Sequence, residues 1–241
     1  ALARRRARWD LCELDEIRPW ASPLTRWAAR GWSVQSSIQS TCPSLPLPAC
    51  VTELGGRIPP RHHRRFQQDL RRAARVGELR LERATPDSCA RLLDRLFALH
   101  DARWQTRGTP GCLADPQVRE LHRETASAFA RRGCLALYAL QLDARVIACL
   151  YGFEGDRTLY YYLGGFDPAA AQLSPGVLML GLVMEDAVRR GLTRFDFLRG
   201  AEPYKYWWGA EDRHTVRLQM RVRRDQARAA TDSTSVESSR W

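Results

Sequence analysis

The sequence predicts an α+β fold: a mixed, mostly antiparallel sheet flanked by helices. Three observations predict it. Residues 134–143, 145–155 and 157–167 are consecutive apolar runs separated by tight turns, the pattern of an antiparallel meander. Two amphipathic helical segments precede the meander. A helix followed by a further strand comes after it, adding a strand–helix–strand unit to the same sheet. The chain of 241 residues is long enough to bury a sizeable core.

In chain order, residues 9–17 (WDLCELDEI) read as a strand. A short helix over 22–31 has Ser22 as cap, Pro23 at its first position and Gly31 as terminator. Residues 32–38 read as a strand, and CPSLPLPAC (42–50) as an extended, proline-punctuated linker. The helix over 59–76 carries an apolar stripe of Phe66, Leu70, Ala73 and Ala74. Arg61, Arg64, Arg65, Arg71, Arg72 and Arg75 give it a dense cationic surface, which is either a solvated face or a surface for an anionic partner. A strand at 77–84 leads into a long helix over 86–108, with Leu92, Leu93, Leu96, Phe97 and Leu99 on one side. A second helix at 115–133 opens on Asp115 and Pro116 and stops at Gly133. After the meander come a loop (168–175), a helix (176–191), a strand (193–200), a short helical turn (201–212) and a closing strand (215–222). Residues 223–241 are polar and read as a disordered tail.

Composition excludes several classes. Hydrophobic residues make up 44% and charged residues 27%, as in an ordinary soluble protein. No apolar run reaches the roughly 18 residues of a membrane span, and the basic start ALARRRARWD lacks the apolar stretch of a signal peptide. The seven cysteines are scattered, with no C-x-x-C pair, so neither a disulfide framework nor a zinc site is expected, and a reducing cytoplasm fits. No histidine or cysteine cluster suggests a metal. The net charge of +11 is almost entirely arginine, and Lys205 is the only lysine. A lysine is a compact donor that can lose its proton, which arginine does not.

Four strings carry a family resemblance: HHRRFQQDLRRAARVG (62–77), FALHDARWQTRG (97–108), YYYLGGFDPAAAQLSPGVLML (160–180) and FDFLRGAEPYKYWWG (195–209). They resemble the CelD/BcsL-type branch of the GNAT acyltransferases, which is related to the FemAB peptidoglycan aminoacyltransferases. The resemblance covers about residues 9–222. It implies a GNAT domain over 78–222, preceded by the end of a partial N-terminal GNAT-like half at 1–50 and by a linker and basic helix at 51–77. It also implies an acyl-CoA donor and direct attack by an amine or hydroxyl of a small-molecule or cell-envelope precursor, without a metal. Two alternatives stand beside it. One is a FemAB-like transferase using aminoacyl-tRNA, with the helix at 61–75 on the RNA or on a phosphorylated precursor. The other is a non-catalytic GNAT-like binding domain. The motifs do not specify the oligomeric state.

The resemblance places the donor at the loop before the central helix. The common pattern there is Q/R-x-x-G-x-G/A; here Gln172 to Val177 occupy it, with fewer glycines. Ser174 is the expected cap, Pro175 the first helical residue, and Gly176 and Val177 the positions where a pyrophosphate meets free N–H groups. Gly164 and Tyr162 lie on the preceding strand, which in this fold splays from the strand of Phe195 to Phe197. Alternation puts Tyr161 on the opposite side from Tyr160 and Tyr162, so one face at most lines the cleft. Asp196, between two phenylalanines, is a candidate general base or substrate-positioning group, or else a structural ion-pair partner of Arg199 or Lys205. Lys205 is a candidate oxyanion or phosphate ligand. Tyr204 is the candidate acid for the departing thiolate. His100 is a candidate base with Trp104 one turn on as a pocket wall. Arg199 is expected to contact substrate.

Overall fold

The computed structural model describes residues 11–19, 32–105, 108 and 111–222. The helix expected at 22–31 and the tail at 223–241 lie outside them. Numbered in chain order, the strands are β1 (Leu11–Ile17), β2 (Trp32–Thr41), β3 (Ser44–Pro46), β4 (Leu79–Arg83), β5 (Leu135–Leu142), β6 (Arg145–Gly155), β7 (Thr158–Phe166), β8 (Arg194–Asp196) and β9 (His214–Val222). The α-helices are α1 (Pro60–Ala74), α2 (Cys89–Gln105), α3 (Pro116–Arg131), α4 (Pro175–Arg189) and α5 (Pro203–Trp207). No helix among the described residues is long and apolar enough to cross a membrane.

Two compact units result: Cys42–Arg213, and Ala1–Thr41 together with His214–Trp241. In the smaller unit β9 lies between β1 and β2, antiparallel to both. Val216, Leu218 and Met220 are its buried apolar side chains, with Leu14 opposite Leu218 and Val34 opposite Met220. Three placements therefore differ from the sequence reading. The strand at 215–222 was expected to close the 78–222 domain, and as β9 it pairs with β1 and β2 instead. Within the expected linker, Ser44–Pro46 forms an edge strand against β8. The basic helix belongs to the larger unit.

The larger unit is a six-stranded sheet of order β3-β8-β7-β6-β5-β4, antiparallel throughout except for β7 against β8. The β6–β7 turn is two residues long, with Asp156 and Arg157 at φ 50° and 55°, the conformation that matches the twist of a hairpin. Both faces of the sheet are covered, which explains why β5 reads as a continuous apolar run rather than an alternating one. Ala136, Tyr138 and Leu140 join one core with α1 and α4; Leu135, Leu137 and Ala139 join another with α2 and α3. Each buried leucine or phenylalanine in these layers contributes about 1.5–3 kcal/mol.

The helix ends follow the expected chemistry in part. Asp115 caps α3 by accepting from the Gln117 N–H at 2.8 Å. Thr85 and Ser88 hydrogen-bond reciprocally, backbone to side chain, at the start of α2. On α1 the apolar stripe is Phe66, Leu70 and Ala73, whereas Ala74 is exposed. Asp69 is buried within that helix, paired to Arg65 and Arg72. Phe66 seats α1 against Gly181 of α4, where an added Cβ would come within 2.2 Å of the ring.

Candidate active site

The site is made by a parting of two strands. β7 pairs with β8 only from Thr158 to Tyr160, against Arg194 to Asp196. Beyond Tyr160, β7 continues to Phe166 on its β6 side alone. The chain after β8 turns away: the Asp196 carboxylate accepts from the Leu198 N–H at 2.8 Å, and Leu198 takes φ +57°. A cavity of about 310 Å³ occupies the opening, bounded by Tyr161, Gly164 and Gly165 of β7 and by Gly176, Val177 and Met179 of α4. Tyr204, Trp207 and Trp208 close one side, and Arg103 of α2 reaches in from another.

Two of these positions leave little room for a side chain. A Cβ on Gly164 would stand 2.8 Å from the Tyr161 hydroxyl. One on Gly165 would stand 3.0 Å from the backbone nitrogen of His100, so α2 lies almost backbone-to-backbone on β7. That close approach brings Arg103, one turn past His100, into the cavity. Its guanidinium lies 5.2 Å from the centre of the Phe166 ring.

Two tyrosines face the space. Burial pushes the Tyr161 hydroxyl up to about 12, with the nearby Arg103 charge pulling the other way. Burial, with Tyr161 and Glu202 close by, also raises the Tyr204 hydroxyl well above the ordinary tyrosine range. Both therefore remain protonated donors at neutral pH. Phe197 holds them: its ring meets Tyr161 edge-on at 6.4 Å and Tyr204 at 6.2 Å.

Residues 60–206 match the acetyltransferase (GNAT) domain family model. The chain belongs to this GNAT family. Among solved structures the fold of the GNAT domain and its flanks is similar to FemX, at 12% identity over 90% of this chain and 74% of that one, with a TM-score of 0.69. It is similar to the C-terminal domain of a putative lysylphosphatidylglycerol synthetase from Agrobacterium fabrum, at 15% identity over 90% and 70%, with a TM-score of 0.61. L-PGS from Bacillus licheniformis gives 9% identity over 82% and 64%, with a TM-score of 0.52. At these identities the likeness is one of fold. Comparison with curated protein sequences gives no match.

Of the residues predicted for the GNAT domain's site, Gly164, Gly176, Val177 and Tyr204 line the cavity. Pro175 is buried in the first turn of α4. Ser174 sits at the head of α4 in the left-handed conformation, φ 55°, and its side chain makes no capping bond; it lines a neighbouring cavity instead. Tyr162 points to the other face of the sheet, half-exposed, against His122 and Tyr151 at 5.6 and 5.9 Å. Tyr161 is the tyrosine that lines the cavity, as the strand's alternation allows.

Lys205 is placed otherwise than expected. The residue is 2% exposed, and its ammonium donates to the carbonyls of Arg199 and Gly200 at 2.9 Å and of Leu198 at 3.3 Å, with Glu202 at 2.8 Å. An ammonium has three N–H donors, and these acceptors occupy them. Lys205 thus fastens the turn after β8, and Arg199 takes part through its carbonyl. Asp196 is buried beneath the opening rather than on its wall. His100 is buried beside Cys112, with 3.6 Å between Nε2 and Sγ, and burial holds its pKa down. Trp104 rests on His100 with ring centres 5.9 Å apart, outside the cavity lining. The sequence reading missed Arg103, Tyr161 and the Trp207–Trp208 pair. For the tryptophans the available signal was two large aromatics in succession beside a candidate acid, Tyr204.

Proposed function

We propose that this GNAT domain moves an acyl group from acyl-CoA to an amine or hydroxyl of a small-molecule or cell-envelope precursor by direct attack. The observation that carries this reading is the cavity where β7 parts from β8, glycine-walled and faced by two protonated tyrosines. Gly164 and Gly165 leave room for an extended acyl-carrier arm against the β7 backbone. The acceptor's lone pair attacks the thioester carbonyl, the C–S bond breaks, Tyr204 donates its proton to the departing sulfur, and the proton that the acceptor's N–H or O–H loses restores the Tyr204 hydroxyl. Tyr161, packed against the same Phe197 ring, supports the hydrogen-bonding side of the site.

A second reading has its own support. FemX, the putative lysylphosphatidylglycerol synthetase domain and L-PGS share the fold, and the FemAB resemblance implies an aminoacyl-tRNA donor. The exposed arginines of α1 and its C-terminal cap (Arg61, Arg64, Arg65, Arg71, Arg72 and Arg75) suit an RNA backbone.

Thermal-shift titration with acetyl-CoA, a long-chain acyl-CoA and tRNA separates the two. Stabilisation by a CoA ester is the expected result. No shift with any CoA ester overturns the first reading. A shift with tRNA alone, weakening steeply as salt rises, establishes the second.

A further inference from the structure

Between the end of α2 and the start of α3 the chain comes back against the helix it has just left. Gly111 lies on the His100 and Trp104 rings: a Cβ there would stand 2.1 Å from His100 Cε1 and 2.5 Å from Trp104 Cδ1. The backbone can come this close because residue 111 has no side chain. The next residue, Cys112, is thereby held with its Sγ 3.6 Å from His100 Nε2. Leu113 follows, buried, and its carbonyl accepts from Arg119 Nε of α3. The same guanidinium holds both oxygens of Asp101 at 2.7 Å. The connection is therefore pinned on both sides of Cys112.

Thiol and imidazole differ in exposure. Cys112 is exposed, whereas His100 is only 4% exposed. His100 Nδ1 is buried with no hydrogen-bond partner. Such an orphaned group costs about 1–3 kcal/mol, and in a native fold it calls for a chemical explanation. Among the described residues the Cys112 thiol is the imidazole's hydrogen-bond partner. Burial, with the Arg103 and Arg119 charges acting the same way and Asp101 against them, holds the His100 pKa below 6.5. The ring is thus a neutral base at pH 7, beside a thiol that solvent reaches. The other cysteines offer a contrast. Cys50 is also exposed, but its sulfur meets the Thr52 hydroxyl, at 3.0 Å. Cys89 and Cys149 are buried, and burial raises both thiols, Cys149 to about 12.

We propose that Cys112 is a site of reversible thiol oxidation, at which His100 is the base and a hydroperoxide the oxidant. The Cys112 sulfur attacks one peroxide oxygen while Nε2 takes the thiol proton. The O–O bond breaks, and the proton passes from Nε2 to the departing oxygen. With hydrogen peroxide the products are Cys112 sulfenic acid and water; the sulfur loses two electrons and the peroxide gains them. A low-molecular-weight thiol then forms a mixed disulfide with the sulfur, releasing water, and a second equivalent restores the Cys112 thiol. Neither Cys112 nor His100 lines the cavity where β7 parts from β8, so the oxidant arrives from solvent and a small one suffices. The proposal does not depend on the acyl-transfer reading.

The whole chain, treated with hydrogen peroxide and dimedone in the absence of any acyl donor, tests this by peptide mass spectrometry of each cysteine. Cys112 is expected to form the dimedone adduct about a hundredfold faster than Cys50, with Cys89 and Cys149 unlabelled. His100→Gln is expected to bring Cys112 down to the rate of Cys50 and to leave Cys50 unchanged. Cys89 and Cys149 report folding: if the variant labels them, the wild-type pH dependence decides in its place. From about pH 8 to 6.5 an unassisted thiol slows steadily, because only its thiolate attacks. Cys112, with a neutral base beside it, is expected to slow less than Cys50. Peroxide followed by glutathione is expected to return Cys112 to the free thiol. The proposal is overturned if wild-type Cys112 reacts no faster than Cys50, if folded His100→Gln keeps the wild-type Cys112 rate, if the two cysteines slow in parallel with falling pH, or if glutathione leaves the oxygen on Cys112.

Discussion

Lys205 reaches back across the turn after β8 and donates to the Gly200 carbonyl at 2.9 Å. With the Arg199 and Leu198 carbonyls and the Glu202 carboxylate around it, the ammonium closes residues 198–202 into a ring. That ring is immediately followed by Tyr204 and Trp207, so the clamp sets where one wall of the cavity stands. Lys205→Met removes all the charged bonds at once and should cost about 2–3 kcal/mol, visible as a lowered Tm. Lys205→Met that keeps its Tm but loses turnover would instead place the ammonium on substrate.

Tyr204→Phe deletes the proposed proton donor while keeping the ring that packs on Phe197. Turnover of acyl-CoA should fall about a hundredfold, with little change in KM. Since burial raises the Tyr204 hydroxyl, wild-type activity should persist above the pH at which an ordinary tyrosine ionises. Equal loss in kcat and in CoA affinity would make Tyr204 a binding residue only.

Gly181→Ala drives a methyl group into the Phe66 ring, 2.2 Å from the nearest carbon. Overpacking of this kind costs about 1–3 kcal/mol. Adding Phe66→Leu should recover part of the loss, because it opens the space the methyl needs. Additive losses in a double-mutant cycle would show that the two positions do not meet.

Burial lowers the pKa of His100 and of His122 below the ordinary value of 6.5. Below that pH the unfolded chain binds protons that the folded chain refuses, so ν is larger in the unfolded state and stability falls as pH drops. The effect is absent well above pH 6.5 and grows as pH falls toward the folded-state values. Denaturant melts between pH 7.5 and 5 should show this slope, and His100→Gln should make it shallower. An unchanged slope would assign the acid sensitivity elsewhere.

Much of the fold was legible because periodicity records burial. The β5 and β6 runs, the α2 stripe from Leu92 to Phe97 and the Asp115 cap of α3 all read directly from local chemistry. The parting of β7 from β8 was reached through the family resemblance, whose strings also pointed to Gly164, Gly176 and Tyr204. Side-chain direction was not legible. Tyr161 and Tyr162 are the same residue type side by side, and only the sheet says which one faces α4. Lys205 drew notice as the sole lysine, but rarity says nothing about which acceptors surround an ammonium. Arg103 was hidden among many arginines, and its position follows from the close packing that Gly165 permits. The pairing of β9 was invisible for another reason: partner strands far apart in sequence leave no local mark.

That pairing orders events during synthesis. Gln219 of β9 meets Glu13 of β1 across 206 positions, and β2 relies on the same strand. At about 5–20 residues per second, the ribosome leaves β2 waiting roughly 10–35 s for β9 to be made. During that interval Ile38, 72% exposed even in the finished fold, lies on a strand with no partner in its sheet, the state in which strands pair with other chains. The nascent protein is therefore most open to misassembly on behalf of its smaller sheet, and a chaperone that shields residues 32–41 would act in that interval.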